Sequence, residues 1–457
     1  MDDHLSTPNA NVSGNPKRSR LYVLLVAVSV LPVGCSVLFA PDSDGSAPFF
    51  TIEAMVQVSD AQTMPTDAHF GWSVAIDGDT AVVGAYQATG APGSTSVTGA
   101  AYVFVRSGTT WNQQAILRAV DAQGGDQFGT SVAISGDTIV VGANWEDGGS
   151  GDPMSMAGAA YVFTRTGSVW SQQATLRASD ATTEDQFGYS VTISDDTIFV
   201  GAPREDGGPG SPDFDSGAVY VFTREGTMWS EQTILRASDV DGGDRFGASL
   251  AISNDTVVVG AHLKGGGVDP YPIHAGVVYV FVGSGSSWTE QTTLKASNAQ
   301  ADAYFGSAVA ISRDTVVVGA PGEHIGIDYP MYNAGVAYVF SRSGAAWSEQ
   351  AVLRAPDPQT TDLFGAAVAV SGETAVIGAP REDHGNGDPV RDAGAAYIVT
   401  RNGSQWDLRE ILRAPQAQAA GRFGNSLALQ GSTLVVGEYW RFREVNFARI
   451  GAAYLYR

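Results

Sequence analysis

The chain has 457 residues, 44% of them hydrophobic, with 55 glycines, one cysteine and a formal net charge of −22. That charge, with no basic cluster in residues 50–457, argues against nucleic acid as a partner, because phosphate binding needs Lys and Arg to displace counterions. A single cysteine excludes a disulfide framework, and the apolar fraction is that of a folded chain.

Residues 1–40 read as an export segment. Lys17, Arg18 and Arg20 precede an uncharged run from Leu21 to Ala40, and Asp42 and Asp44 follow it. Inside the run, Leu31-Pro32-Val33-Gly34-Cys35-Ser36 places the cysteine directly after a glycine. This resembles the bacterial lipoprotein signal, where cleavage before the cysteine frees its thiol for diacylglycerol. Val33, Gly34 and Cys35 match, whereas Pro32 stands where an aliphatic residue is usual. The expectation is lipidation at Cys35. The alternatives are a simple cleaved signal or an uncleaved anchor, since twenty uncharged residues can cross a bilayer with the positive flank inside. Each alternative exports the remainder to the cell envelope, attached to the membrane in the lipoprotein and anchor cases. Residues 41–49 read as a linker.

From residue 70 onward one unit recurs. Phe70, Phe128, Phe187, Phe246, Phe305, Phe364 and Phe423 are each followed by glycine, the first gap being 58 residues and the others 59. Such regularity marks tandem copies of one supersecondary unit. Each copy holds four short runs rich in Val, Ile, Thr, Tyr and Phe. In the second copy these are Phe128–Ile134, Thr138–Ala143, Gly158–Phe163 and Trp170–Ala178. Turn residues such as Gly136-Asp137 separate them, a strand signature with no helical periodicity. Four strands per copy and radial repetition predict an all-β, seven-bladed β-propeller of antiparallel blades. An open solenoid is the alternative.

The chain ends favour a closed ring. The last copy stops at Tyr454-Leu455-Tyr456, lacking a Trp strand. In the six complete copies Trp precedes Leu by six residues (Trp111 and Leu117, Trp406 and Leu412), and Phe50 precedes Val56 by the same six. Residues 50–58 are therefore expected to supply the outer strand of the C-terminal blade, making residues 50–457 one monomeric ring without exposed sheet edges.

With Phe-Gly opening the first strand and Val-Gly-Ala-Pro closing the second (Val200–Pro203, Val318–Pro321), the repeats resemble FG-GAP repeats, which form the seven-bladed propeller of integrin α chains. Bacterial exported proteins built from such repeats are also similar, through Gly-Ala-Ala-Tyr-Val-Phe and Trp…Leu-Arg-Ala. The resemblance implies an extracellular propeller with a binding or adhesion role. The integrin calcium loops between first and second strands do not carry over. Asp77-Gly78-Asp79, Ser194-Asp195-Asp196 and Ser312-Arg313-Asp314 are turns too short for six oxygen ligands. Asp137, Asp196, Asp255 and Asp314 are expected in hairpin turns, bonding nearby backbone amides.

The second-to-third-strand loops span 14 to 16 residues between flanking glycines and vary where the strands do not, so function is expected there. Three are acidic, with Glu146, Asp147 and Asp152 in blade 2, Glu205, Asp206, Asp213 and Asp215 in blade 3, and Glu382, Asp383, Asp388 and Asp392 in blade 6. Carboxylates among glycines can wrap calcium, although the spacing matches no defined calcium loop. His262, His274, His324 and His384 fall in neighbouring loops without zinc-motif spacing. Blade 7 carries Trp440, Arg441, Phe442 and Arg443, a composition typical of binding hot spots. Trp111, Trp170, Trp229, Trp288 and Trp347 read as packing residues between blades rather than sugar platforms. The expected function is a noncatalytic cell-surface propeller engaging a protein or glycan, with an envelope scaffold or a propeller hydrolase as alternatives.

Overall fold

The computed structural model describes residues 49–58, 67–90, 96–149, 151, 153–208, 213–265, 272–326, 331–383, 390–442 and 449–457. These form seven four-stranded antiparallel sheets, with no helix long and apolar enough to cross a membrane among the described residues. Blade 2 is typical, with strands Ser131–Ser135, Thr138–Ala143, Ala159–Thr166 and Val169–Leu176 in spatial order. First strands touch the first strands of neighbouring blades all the way round, so they ring the axis. The second strand is buried along its length, which explains its unbroken Val and Ile. The outer strand alternates between cover and solvent.

The Phe-Gly pair proves to be a clasp just ahead of the first strand rather than part of it, except in blade 7, whose first strand runs Phe423–Gln430. The Phe128 ring packs on Tyr161 and Phe163 of its own blade at 5.5 and 6.0 Å. Its amide meanwhile donates to the Thr98 carbonyl of the preceding blade at 3.1 Å. At Gly158, whose φ is +87°, a Cβ would lie 2.0 Å from the Phe187 carbonyl oxygen, so only glycine admits the neighbouring chain. Serine at the start of the first strand adds a second link, as in Ser131 Oγ to the Gly188 carbonyl at 2.8 Å.

Closure occurs as the sequence predicts. Ile52–Val56 pairs antiparallel with Ala452–Tyr456 as the outer strand of the last sheet. The Thr51 amide donates to the Arg457 carbonyl at 2.8 Å, and the reciprocal bond is 2.9 Å. Phe50, Val56 and Val58 are buried. Side chains obey the repeat as well. Trp170 and Trp229 donate their indole N–H to Gln114 and Gln173 of the preceding blade, and Trp111 donates instead to Glu53 of the N-terminal strand at 3.0 Å. The tryptophans are thus inter-blade packing residues.

Candidate functional site

Hairpins joining first to second and third to fourth strands occupy one face of the ring. The second-to-third loops and the passages to the next blade occupy the other. On the hairpin face the turn aspartates differ from expectation. Asp137, Asp196 and Asp314 do sit in turns, but their carboxylates accept from Arg165, Arg224 and Arg342 at 2.7 Å, not from backbone amides. The cause is the arginine next to last in the third strand of these blades, which also lies over the blade's Trp, at 5.0 Å from Trp170. Asp255, facing Gly283 where other blades have arginine, takes the Thr256 hydroxyl at 3.0 Å. A polar cleft of about 650 Å³ on this face, lined by Asp137, Arg165, Asp196 and Arg224 among others, is bounded by these ready-made pairs.

On the loop face the acidic residues are mostly committed to the frame. Glu146, Glu205 and Glu382 are buried and pair with Arg177, Arg236 and Arg413 at the end of their own outer strands, at 2.6, 2.8 and 2.7 Å. Asp147, Asp206 and Asp383 cap their loops by accepting the amides of Met156, Asp215 and Asp392. Asp215 is held by Arg204 and Arg245, Asp392 lies 4.0 Å from Arg391, and Asp213 is half-buried in its loop. Asp152, Asp388 and Cys35 lie outside the described residues, as do His384 and Arg443. Among the described residues no three metal-ligating side chains are gathered about one point.

A second set of carboxylates, two residues before the Phe of several blades, escapes a motif-based reading. Asp126, Asp185 and Asp362 are buried beneath the loops. Burial pushes Asp126 and Asp185 up to about 6 and Asp362 up to about 7, and neighbouring carboxylates add to the effect. The Asp-x-Phe-Gly recurrence was the available signal.

The histidines divide. His274 stacks on Tyr304 at 6.1 Å and reaches Asp302 at 2.9 Å, and His262 lies against the same tyrosine at 6.4 Å. Burial lowers His262 to about 4, so its imidazole is neutral at physiological pH. His324 packs separately, on Tyr332.

The densest non-repeating chemistry lies where blades 7 and 1 meet at the axial mouth. Trp72 lies just ahead of the first strand of blade 1, Ser73–Asp77, and Tyr86 and Tyr439 lie just past the second strands of blades 1 and 7, Thr80–Ala85 and Thr433–Glu438. Trp72 contacts these tyrosines at 4.9 and 5.0 Å. His69 bonds the Tyr86 hydroxyl at 2.9 Å, and burial lowers it to about 4, leaving a neutral ring. The Trp440 ring meets two guanidiniums, those of Arg422 at 4.7 Å and Arg449 at 4.5 Å. Arg449 also lies over Phe442. Arg441, by contrast, is buried and turns inward to the Gln416 carbonyl and Glu438, so it belongs to the frame. Sequence reasoning found Trp440 and Phe442 but missed Trp72, Tyr86, Tyr439 and Arg422, which only the ring brings to them. At Trp72's place the other blades carry Thr130, Tyr189, Ala248, Ser307, Ala366 and Asn425, and that departure from the repeat was the clue.

Comparison with known proteins agrees with this architecture. One solved chain, from a structure described as "Crystal Structure of Mitotic Checkpoint Complex", superposes with a TM-score of 0.52 over 99% of both chains at 12% identity, a likeness of fold alone. No curated protein matches the chain. The family model described as "FG-GAP repeat" matches seven times, over residues 59–104, 111–163, 170–222, 229–281, 288–340, 347–399 and 406–456. Seven matches in register with seven blades make the chain a member of the FG-GAP repeat family.

Proposed function

We propose that this propeller is a noncatalytic binding module of the cell envelope, tethered through Cys35, that takes a protein or glycan ligand on its loop face. The aromatic and cationic cluster of Trp72, Tyr86, Tyr439 and Trp440 with Arg422 and Arg449 carries the reading. Aromatic rings and guanidiniums dominate binding hot spots. In a chain of net charge −22 they are concentrated at one sector of the axial mouth. Flat ring faces suit sugar C–H surfaces or apolar side chains, and the two arginines suit an acidic group on the same ligand.

The test is a screen of the full chain against glycans and envelope extracts, run beside Trp440→Ala and Arg422→Ala. Ligand capture that falls at least tenfold in both variants, with unchanged melting temperature, is the expected result. Capture unaffected by either substitution would refute this site. A stoichiometric envelope protein among the captured material would make the ring a scaffold, and turnover of a glycoside or ester panel would make it an enzyme.

A further inference from the structure

We infer that the ligand of the axial mouth is an anionic oligosaccharide laid across two aromatic platforms, one built by Trp440 and Trp72 and the other by Trp145 and Tyr189. The inference rests on the loop face being the binding face, as proposed above, and extends it to the ligand's chemistry. Two positions of the repeat are involved. One lies two residues past the second strand and the other directly follows the Phe-Gly pair. Main-chain bonds fix each position alike from blade to blade. The Trp145 and Trp440 amides donate to the equivalent carbonyls of Asp126 and Gly421, and the Trp72 and Tyr189 amides to those of His69 and Gln186. At the first position the other blades carry Gln87, Arg204, Leu263, Gly322 and Arg381, so Trp145 and Trp440 are its only aromatic residues. At the second, Trp72 and Tyr189 are the only ones. The four therefore fall into two pairs on neighbouring blades, 7 with 1 and 2 with 3. In each pair the first strand of the later blade packs on the second strand of the earlier one. Trp145 and Tyr189 are each 42% exposed, so this second pair is open to a ligand.

The two platforms differ in charge. Beside Trp440, the guanidiniums of Arg422 and Arg449 have no carboxylate partner among the described residues. Arg245, three periods before Arg422, is by contrast paired with Asp215. Asp67 accepts the main-chain amide of Arg449 at 3.2 Å rather than its side chain. Trp440 Nε1 and Arg422 Nε are buried donors without an acceptor. Two uncompensated guanidiniums with unused N–H groups suit a carboxylate or sulfate. The second platform has no such surplus. Glu146 and Asp147 follow Trp145 in the chain, and Arg245, near Tyr189, is already neutralised by Asp215. It suits a neutral sugar. Both platforms offer flat ring faces with polar edges, which take the C–H face of a pyranose, whereas a peptide's aliphatic anchor needs an apolar pocket. A sugar chain carrying both acidic and neutral units matches this order of charge.

The test titrates the full chain in detergent with hyaluronan fragments, from disaccharide to octasaccharide, read by calorimetry. Hyaluronan alternates a carboxylated with a neutral sugar. Affinity should rise about tenfold or more with length, as the second platform is engaged by a linked unit. Trp145→Ala and Tyr189→Ala should remove that gain, leaving the disaccharide's affinity and the melting temperature unchanged. Arg422→Ala should weaken fragments of every length by about tenfold. Chitin fragments of the same lengths, neutral throughout, should bind more weakly and ignore Arg422→Ala. Sulfated dextran fragments identify the anion: a response shows that a sulfate serves, and a response to hyaluronan alone makes it a carboxylate. Binding of neither anionic series at millimolar concentration overturns the inference, as does equal or tighter binding of poly-glutamate. So does an octasaccharide affinity unmoved by Trp145→Ala and Tyr189→Ala. If Trp440→Ala still lowers capture from envelope extracts in those cases, the binding module stands and only this ligand assignment falls.

Discussion

Removing residues 50–58 should open the ring, and the size of the loss follows from what that segment buries. Phe50, Val56 and Val58 are nearly inaccessible, and burial of each such side chain contributes about 1.5–3 kcal/mol, or about 5–9 kcal/mol together. The segment also supplies the ladder to Ala452–Tyr456, the paired bonds between Thr51 and Arg457, and the Glu53 acceptor for Trp111. A loss of that size rivals the total stability of about 5–15 kcal/mol typical of a domain. The truncated chain should therefore lose its cooperative thermal transition by circular dichroism, or melt far lower, and expose an apolar strand edge. A synthetic peptide of residues 49–58 added in trans should restore part of the transition by strand addition. An equally sharp melt at the parent temperature without those residues would refute the closure argument.

Gly158→Ala should destabilise by about 3 kcal/mol or more, combining left-handed backbone strain with displacement of the Phe187 carbonyl, measured by urea denaturation. The same substitution at Gly136, a turn glycine with open space around it, should cost only the backbone term. Arg236→Met should cost about 3–5 kcal/mol, because it leaves Glu205 buried without its counter-charge. Acidification from pH 7.5 to 5.5 should raise the contribution of Asp126 and Asp185 to stability. Both titrate near 6 in the folded protein, above their ordinary value near 3.8, so the folded state binds more protons across that window. Asp126 faces Asp121, Glu146 and Asp147, and Asp185 faces Glu205 and Asp206, which reinforces the direction. The Asp126→Asn, Asp185→Asn double variant should show a smaller melting shift over that range, and an unchanged shift would refute the assignment.

The architecture was legible because it repeats. A 59-residue period and the six-residue spacing of Phe50 and Val56 are one-dimensional signals that survive without coordinates. The fate of the acidic loop residues was harder to see. Glu146 meets Arg177 only because the second-to-third loop folds back over the end of the outer strand, 31 residues on. The recurrence of that Glu–Arg spacing at 205 and 236, 323 and 354, and 382 and 413 was nonetheless present in the sequence. Asp137 and Arg165, and Asp196 and Arg224, recur in the same way at 28 residues. The axial cluster offered only Trp72's departure from the repeat, with no recurring spacing to pair it with its partners. Trp72 and Tyr439 are neighbours only because the ring closes, and no local pattern links residues so far apart in the chain.

Closure by the first strand sets a timetable as well as a shape. Ile52–Val56 is synthesised before any blade, yet its partner Ala452–Tyr456 follows all seven second strands. Until Ala452–Tyr456 has emerged the propeller is thus an unfinished arc, its N-terminal strand waiting some four hundred residues for a mate. Bringing such distant ends together is slow, and open edges invite pairing with other chains. The first strand therefore stays an unpaired edge until residues 452–457 are available to receive it.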